Sequence, residues 1–492
     1  MRKRSKHDLS CYRNLTCNQG ELVPIACQEV LPGDTFQMSS SALIRLSPLV
    51  APVMHPVHAT IRHYFVPYRL IMDDWESFIT GGETGADSTT FPTITLTPTA
   101  GSLADHFGLP LGTSITVNAL PFRAYALIYN EMVRNQDLQT ALTIDTSDGT
   151  DSTTNTTLQY VNWDKDRFTS SKNAAQKGAA ISLPLGTSAD IHTNAVTSNA
   201  ISVYSDQNTQ WDKLAVNAAD PGATSVYLQG SAGSSGNKLY ADLSGATAST
   251  INDFREAIAL QSFAEHRMMF GGRYNEYLKF LGVNPRDGRL DRPELLGSGR
   301  QTIQFSEVLQ TGVDSTDGGL GTLGGHGIGS VKSNRFRKFF EEHGLIISLL
   351  AVKPKTMYHQ GVHKMWLKTT KEDFFQYELE GIGQEEIQNR EVLVSHASPT
   401  GTFGYQNRYD EYRFGVDTVC GDFRPGQGLE EYTMCRDFSS DPSLNDTFVK
   451  CSPTNRIYAS TTNDQLLIMI YHNIKARRMM RKVGHPIGLI GG

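Results

Sequence analysis

A polar stretch from about Leu183 to Thr250 interrupts a chain whose other patterns are typical of a β-rich protein. More than half of its positions are Ser, Thr, Gly, Ala or Asn, and no Glu occurs between Glu131 and Glu256. Such a segment buries too little apolar surface to offset the entropy that its own folding would cost. We therefore expect residues 183–250 to be a surface insertion, carried by a body that folds without them.

Alternating apolar and polar residues predict several strands in that body. The segment 57–66 partly alternates and is closed by Pro67, and the segment 93–97 alternates strictly. This pattern is typical of strands that bury one face. Shorter strands of the same type are expected at 364–368 and 411–416.

Two apolar runs, 344–352 and 466–471, show no alternation. They predict central strands that are buried on both faces. Apolar residues at helical spacing predict three helices, at 121–132, 252–270 and 274–281. Because these helices lie between widely spaced strand candidates, the pattern favours a β-sandwich with helices in its loops over a sheet in which strands and helices alternate.

The composition limits the classes of function. The net charge of −6 over 492 residues is modest, so any binding of nucleic acid must come from local basic patches. The six cysteines contain no C-x-x-C pair, and we expect free or structural thiols and no metal site. No secretory leader is recognisable, and no apolar run approaches the ~20 residues of a spanning helix, so no membrane insertion is expected.

Catalytic motifs are weak in this chain. A glycine pattern at 319–324 matches a dinucleotide-binding motif, but no strand introduces it, and a flexible loop is the favoured interpretation. The side chains of the adjacent acidic residues at 341–342 and 385–386 point in different directions on any regular element. They therefore cannot lie on either side of one glycosidic bond. We therefore predict no catalytic site and no cofactor. The alternative is a jelly-roll carbohydrate-binding protein or glycosidase, with 183–250 as a lid over converging carboxylates and aromatic residues.

Basic clusters provide the main chemical signal. They lie in the terminal segments 1–10 and 475–492 and directly after the glycine run. Cations neutralise phosphates, and the interleaved Phe336, Phe339 and Phe340 can stack on unpaired bases, which favours single-stranded nucleic acid. The alternative interpretations are solvated charge runs and phenylalanines that belong to the core. The candidate DNA-binding residues are Arg2, Lys3, Arg4, Lys6, Lys332, Arg335, Arg337, Lys338, Lys475, Arg477, Arg478, Arg481 and Lys482.

Short blocks along nearly the whole chain occur in the order of a known family. The early blocks are Glu29–Phe36, Arg45–His55, Tyr64–Arg69 and Asp73–Ile79. The later blocks are Leu120–Tyr125, Gln176–Gly178, Arg273–Val283, Arg289–Glu294, Glu342–Gly344, Phe403–Tyr405, Glu411–Arg413 and Asn473–Arg477. Together they resemble the major capsid protein of gokushovirus-type microviruses. No single block is diagnostic, but so many in one order are specific.

The resemblance implies a mainly β fold. The expected form is a single eight-stranded antiparallel jelly roll over residues 1–492, with long inter-strand loops that carry a few helices. It implies a structural protein and no enzyme: a subunit of a sixty-copy T=1 icosahedral shell around circular single-stranded DNA in a tailless bacteriophage, assembled in the host cytoplasm. Minor virion proteins and a bacterial host surface receptor are the other implied partners.

The family also carries a variable insertion that forms a protrusion near the threefold axis, and residues 183–250 fall at its expected place. Two segments depart from the family pattern. Residues 169–175 replace a turn expected to contain Cys, Pro and Trp, at the entry to the insertion. Residues 478–481 replace expected prolines and make the C-terminal segment more basic.

Overall fold

The computed structural model describes residues 4–179, 181, 190–193, 201–205, 210–216, 226–231, 237–242, 251–311, 323–480 and 482. The chain divides into two compact units. The first consists of Met1–Ala175 and Arg267–Gly492, and the second of Gln176–His266. The predicted insertion 183–250 falls within the second unit. Most of it lies outside the described residues, so its role as a surface insertion stays a prediction.

The strands are numbered here in chain order. The first unit begins with β1 (Ser5–Asp8), β2 (Cys11–Cys17), β3 (Val23–Val30), β4 (Thr35–Leu46), β5 (Val57–Pro67), β6 (Thr93–Leu96), β7 (Ile115–Asn118) and β8 (Thr150–Asp151). The second unit contains β9 (Asp190–Thr193), β10 (Ile201–Ser205), β11 (Gln210–Val216), β12 (Val226–Ser231) and β13 (Asn237–Asp242). The first unit resumes with β14 (Glu294–Leu309), β15 (Leu323–Lys332), β16 (Phe336–Phe339), β17 (Gly344–Pro354), β18 (Gln384–Gln388), β19 (Thr402–Asn407) and β20 (Leu466–Arg478).

The described α-helices are few and mostly short. They are α1 (Trp75–Thr80), α2 (Leu103–Phe107), α3 (Leu120–Ile128), α4 (Ile251–Phe270), α5 (Tyr274–Phe280) and α6 (Asp446–Val449). The three predicted helices correspond to α3, α4 and α5. Gly271 and Gly282, which follow α4 and α5, have φ angles of 106° and 80°. Glycine adopts this left-handed conformation without the steric penalty of a Cβ, which explains why both helices end there.

One antiparallel sheet of ten strands dominates the first unit. Its order is β1-β20-β4-β15-β14-β5-β17-β3, with β2 also paired to β20 and β16 to β4. The long strand β14 joins two halves, because its residues 294–303 pair with β5 and 304–309 pair with β15. Ile25 of β3 and Ile468 of β20, near opposite ends of the order, lie in one core cluster. The sheet therefore curls into two layers. The predicted mainly β, antiparallel fold is confirmed, whereas the predicted strand number of eight is not.

The two apolar runs have different surroundings. On β17, Ile347 packs with residues of α1 to α3 in one cluster, and Leu350 faces the core between the layers. The predicted burial on both faces is therefore confirmed for 344–352. On β20, burial alternates, and Leu467 and Met469 are 48% and 47% exposed. The prediction of two-sided burial is wrong for 466–471, because helices cover the outer face of the β17 layer and no described helix covers that of β20.

Other predicted strands had mixed outcomes. The segments 57–66 and 93–97 form β5 and β6 as expected. The segments 364–368 and 411–416 do not form strands, and short 3-10 turns occupy Lys364–Leu367 and Asp410–Tyr412. Their polar residues bind across the loop, as the Lys368–Glu411 ion pair of 2.7 Å shows. Their alternation therefore reflects paired charges and not a half-buried sheet.

Candidate nucleic-acid interface

The outer face of β20 carries two of the predicted basic residues. The buried side chains of this strand alternate with Tyr471, Asn473, Lys475 and Arg477, which consequently point away from the core. Arg477 lies opposite Lys6 of β1 on one side and Thr35 of β4 on the other. Residues directly opposite each other in an antiparallel pair share a face. The N-terminal and C-terminal basic segments therefore meet on one surface.

The third basic cluster reaches the same surface through β4. Arg337 of β16 lies opposite Gln37, which is itself opposite Lys475. Lys332 of β15 lies opposite Ser41, the partner of Tyr471. We call this surface the basic face and define it by six cations from five strands. They are Lys6, Arg45, Lys332, Arg337, Lys475 and Arg477.

Arg45 was not predicted from the sequence. It is an isolated charge in β4, exposed, and lies opposite Leu467 and Ile328. Only the strand register shows that it joins a basic surface. Asp8 adds one negative charge opposite Lys475. Hydrogen bonds from the hydroxyl and amide of Ser10 lower the pKa of Asp8, with a smaller contribution from Lys475, so that its carboxylate is ionised at neutral pH.

Two predicted cations take part in contacts within the chain. The ammonium of Lys338 pairs with Glu294 and lies 5.3 Å from the centroid of Phe340. The guanidinium of Arg478 is 3.0 Å from the carboxylate of Asp34 and donates to a backbone carbonyl. Because these charges are already compensated, we do not include them in the basic face.

The remaining predicted cations lie near the ends of the chain or in a turn. Arg4 donates to Gly33 O and Thr35 Oγ1 at 2.9 and 3.1 Å. Arg335 is exposed in the turn between β15 and β16, and Lys482 is exposed at the described C-terminal end. Arg2, Lys3 and Arg481 lie outside the described residues.

Exposed aromatic rings accompany the cations on the basic face. Phe336 and Phe340 are buried, so for them the core interpretation applies. Phe339 is 50% exposed opposite Thr35, with the guanidinium of Arg4 5.5 Å from its centroid. Tyr12, which the sequence did not identify, is 72% exposed, and its ring centroid is 4.7 Å from that of Tyr471. Such rings provide flat surfaces on which bases can stack.

A hollow of about 610 Å³ lies at the β2 edge of the sheet. Leu43, Leu467 and Met469 form an apolar part of its lining, and Arg45 and Asn14 add a cation and an amide. Its lining thus combines an apolar surface on which a base can lie with a cation and an amide, and the carboxylate of Asp105 also lines it.

A buried histidine lies beneath the basic face and does not add to its charge. His472 of β20 hydrogen-bonds with the Ser40 hydroxyl at 2.7 Å and with Ile25 O at 3.1 Å. Burial lowers the pKa of His472 to about 4, so the ring is neutral at pH 7. The positive potential of the face therefore comes from lysine and arginine.

The described residues also bear on three other kinds of site. They include no group of three or more His, Cys, Asp or Glu side chains placed to hold a metal ion. No described helix is both long and apolar enough to cross a membrane. Of the acidic residues considered for glycosidase chemistry, Glu385 pairs with Lys364 and Glu342 with Arg69. These two carboxylates thus serve as partners of basic side chains.

The family model for the capsid protein (F protein) matches residues 1–488 of this chain. The chain belongs to the capsid protein (F protein) family. Capsid protein VP1 of Bdellovibrio phage phiMH2K is 36% identical over 94% of this chain and 90% of its own length. The capsid proteins VP1 of Chlamydia phage 1 and Spiroplasma virus 4 are 30% and 31% identical over 97% and 95% of this chain, and over 94% and 92% of their own lengths.

These matches confirm the predicted resemblance to gokushovirus-type microvirus capsid proteins. They extend over both units of the capsid protein, as the ordered sequence blocks did. The family and the similar proteins are structural components of virions, which agrees with the predicted class of function. The β-sandwich of the capsid protein agrees with a jelly-roll architecture.

Proposed function

We propose that this capsid protein builds a sixty-copy T=1 icosahedral shell around circular single-stranded DNA and that its basic face contacts the packaged DNA. The observation that carries the DNA contact is the gathering of six cations from distant parts of the chain on one sheet face that no described helix covers. A net charge of −6 for the chain makes such a local concentration significant. The exposed Tyr12 and Phe339 favour unpaired bases as the ligand.

The physical basis of this contact is electrostatic. Each lysine or arginine that neutralises a phosphate releases a condensed counterion, so the affinity falls as salt rises. Contacts with phosphates position the nucleic acid without reading its sequence. A shell that encloses a whole genome requires binding of this kind, since different stretches of DNA meet identical subunits.

The two-layer sheet provides a rigid block for assembly, and the long loops between its strands provide the contacts that close the shell. The same proposal includes contacts with minor virion proteins, a protrusion formed by residues 183–250 that binds a bacterial host surface receptor, and assembly in the host cytoplasm. The capsid family of the chain and the polar composition of 183–250 support this part of the proposal.

Binding of single-stranded DNA tests the proposed interface. The triple variant Arg337→Gln, Lys475→Gln and Arg477→Gln should still form shells but retain less DNA as salt rises. The slope of log affinity against log salt should fall by about 0.7 per lost phosphate contact, or by about 2 for three contacts. The measurement is a salt titration of fluorescent oligonucleotide binding by purified subunits.

A charge-matched control uses three exposed cations outside the basic face. Substitution of Lys165, Lys279 and Arg289 by Gln removes the same formal charge. This control should keep the slope of the wild-type protein. Equal slopes for the wild type and the basic-face variant would overturn the assignment, and equal losses in both variants would show that only net charge matters.

A further inference from the structure

Residues 364–414 of the first unit present an exposed aromatic surface, which we call the aromatic patch. Six aromatic residues in this segment are at least half exposed, and Trp366 and Tyr377 are 75% and 79% exposed. The six are Trp366, Phe374, Phe375, Tyr377, Tyr412 and Phe414. Large apolar residues commonly appear singly at protein surfaces, but a group of this size indicates an interaction site.

Contacts around the buried Tyr409 hold part of the patch together. The rings of Phe375 and Tyr409 meet edge to face with their centroids 5.4 Å apart. The ring centroids of Tyr412 and Tyr409 are 6.3 Å apart. The Tyr409 hydroxyl also accepts a hydrogen bond from the backbone N–H of Gln376 at 3.3 Å. The turns that carry these aromatic residues are therefore adjacent in space.

Ion pairs between the same turns also hold them together. Lys368 binds the buried Glu411 at 2.7 Å, and its ammonium lies 3.9 Å from the centroid of Tyr412. Arg413 binds Glu380 at 2.7 Å, which ties the 3-10 turn Tyr377–Ile382 to the turn that holds Tyr412. Because these charges are paired within the patch, its aromatic rings are presented on a preorganised support and not on a free loop.

The exposed area suits a protein interface. An aromatic residue offers about 150–250 Å² when fully exposed, so six residues at these exposures present on the order of 700 Å². The largest apolar patch of a typical monomer is about 300–600 Å², whereas one partner of a standard protein interface contributes about 800 Å². Summed over the six residues, the exposed aromatic area thus approaches the area that one partner of a stable interface contributes.

The charges at the edge of the patch identify the kind of partner. Lys371 is exposed beside Glu372 and Glu378, so both signs occur within a few residues. A rim of mixed sign suits a protein surface that is also of mixed sign, and it is unsuited to polyanionic DNA. A closed shell of identical chains requires each copy to offer such a surface to a neighbour.

We propose that the aromatic patch is a contact surface between neighbouring copies of this chain in the shell. This inference rests on the proposed assembly function and assigns one of its contact surfaces to residues 364–414. Trp366 and Tyr377 are the main anchors, since aromatic residues that become fully desolvated contribute most to such interfaces.

The test is the double variant Trp366→Ser and Tyr377→Ser. Its subunits should keep the circular dichroism spectrum and thermal midpoint of the wild type, because exposed side chains contribute little to folding. Sedimentation should show subunits or small oligomers where the wild type forms particles. The control Ile79→Ser with Leu111→Ser removes two other exposed apolar side chains and should assemble normally.

Hydroxyl-radical labelling gives a second readout on the unmodified chain. Trp366 and Tyr377 should be labelled in dissociated subunits and protected in particles assembled from purified chain alone. Normal particles from the double variant would overturn the inference, as would equal losses of assembly in the control. Protection that requires another virion protein would also overturn it. If the wild-type chain never forms particles, the proposed assembly function itself fails.

Discussion

Acidification from pH 7 to pH 5 should weaken the folded subunit through three buried histidines. Burial is the main cause that lowers the pKa of His55, His63 and His472 from 6.5 to about 4. His63 is fully buried, and its two ring nitrogens hydrogen-bond with the hydroxyls of Ser348 and Ser333 at 2.6 and 2.9 Å. Its neutral ring is therefore well accommodated, whereas a protonated ring would be a buried charge.

The sign and size of the effect follow from these values. Because each folded pKa lies below the unfolded value, the contribution to stability is complete above pH 6.5 and is lost as the pH falls towards 4. Between pH 7 and pH 5 the loss is about 2 kcal/mol for each histidine and about 6 kcal/mol for three. This loss compares with a typical unfolding free energy of ~5–15 kcal/mol. Burial raises the pKa of Glu391, which offsets part of it.

Urea unfolding of unassembled subunits at the two pH values measures this loss. In the variant His63→Gln, the amide can still hydrogen-bond but cannot titrate. The free energy of unfolding of this variant should therefore fall by about 2 kcal/mol less between pH 7 and pH 5 than that of the wild type. The variant His326→Gln, at an exposed histidine, should keep the wild-type loss. If the free energy of unfolding fell equally in His63→Gln and in the wild type, the acid sensitivity could not be assigned to the buried His63.

Three further predictions concern the core and the insertion. Ile468→Asp should prevent folding, because it places a charge between the two layers of the sheet. Leu467→Asp, on the exposed face, should give soluble subunits. Solubility and circular dichroism distinguish the two outcomes. Arg123→Met should destabilise the subunit by ~3–5 kcal/mol by leaving the fully buried Asp151 unpaired, and urea unfolding should show recovery when Asp151→Leu is added. Replacement of 187–247 by a short Gly/Ser linker should preserve particles but reduce host adsorption, and loss of all folded protein would contradict this prediction.

Local patterns in the sequence predicted the elements whose formation depends mainly on neighbouring residues. The alternation at 57–66 and the helix 274–281 with its following glycine both correspond to elements of the structure. The ordered sequence blocks predicted the family, which the family model confirms. Neither result requires knowledge of which strands lie side by side.

The tertiary structure decided which faces are covered and which charges meet. The runs 344–352 and 466–471 look alike in sequence, but among the described helices some pack on the outer face of the first run and none on that of the second. Arg45 is a lone charge in its strand, and Lys6 and Arg477 are at opposite ends of the chain, yet strand register places all three on one face. Alternation along a strand determines which residues share its two sides, whereas long-range pairing determines what lies next to each side.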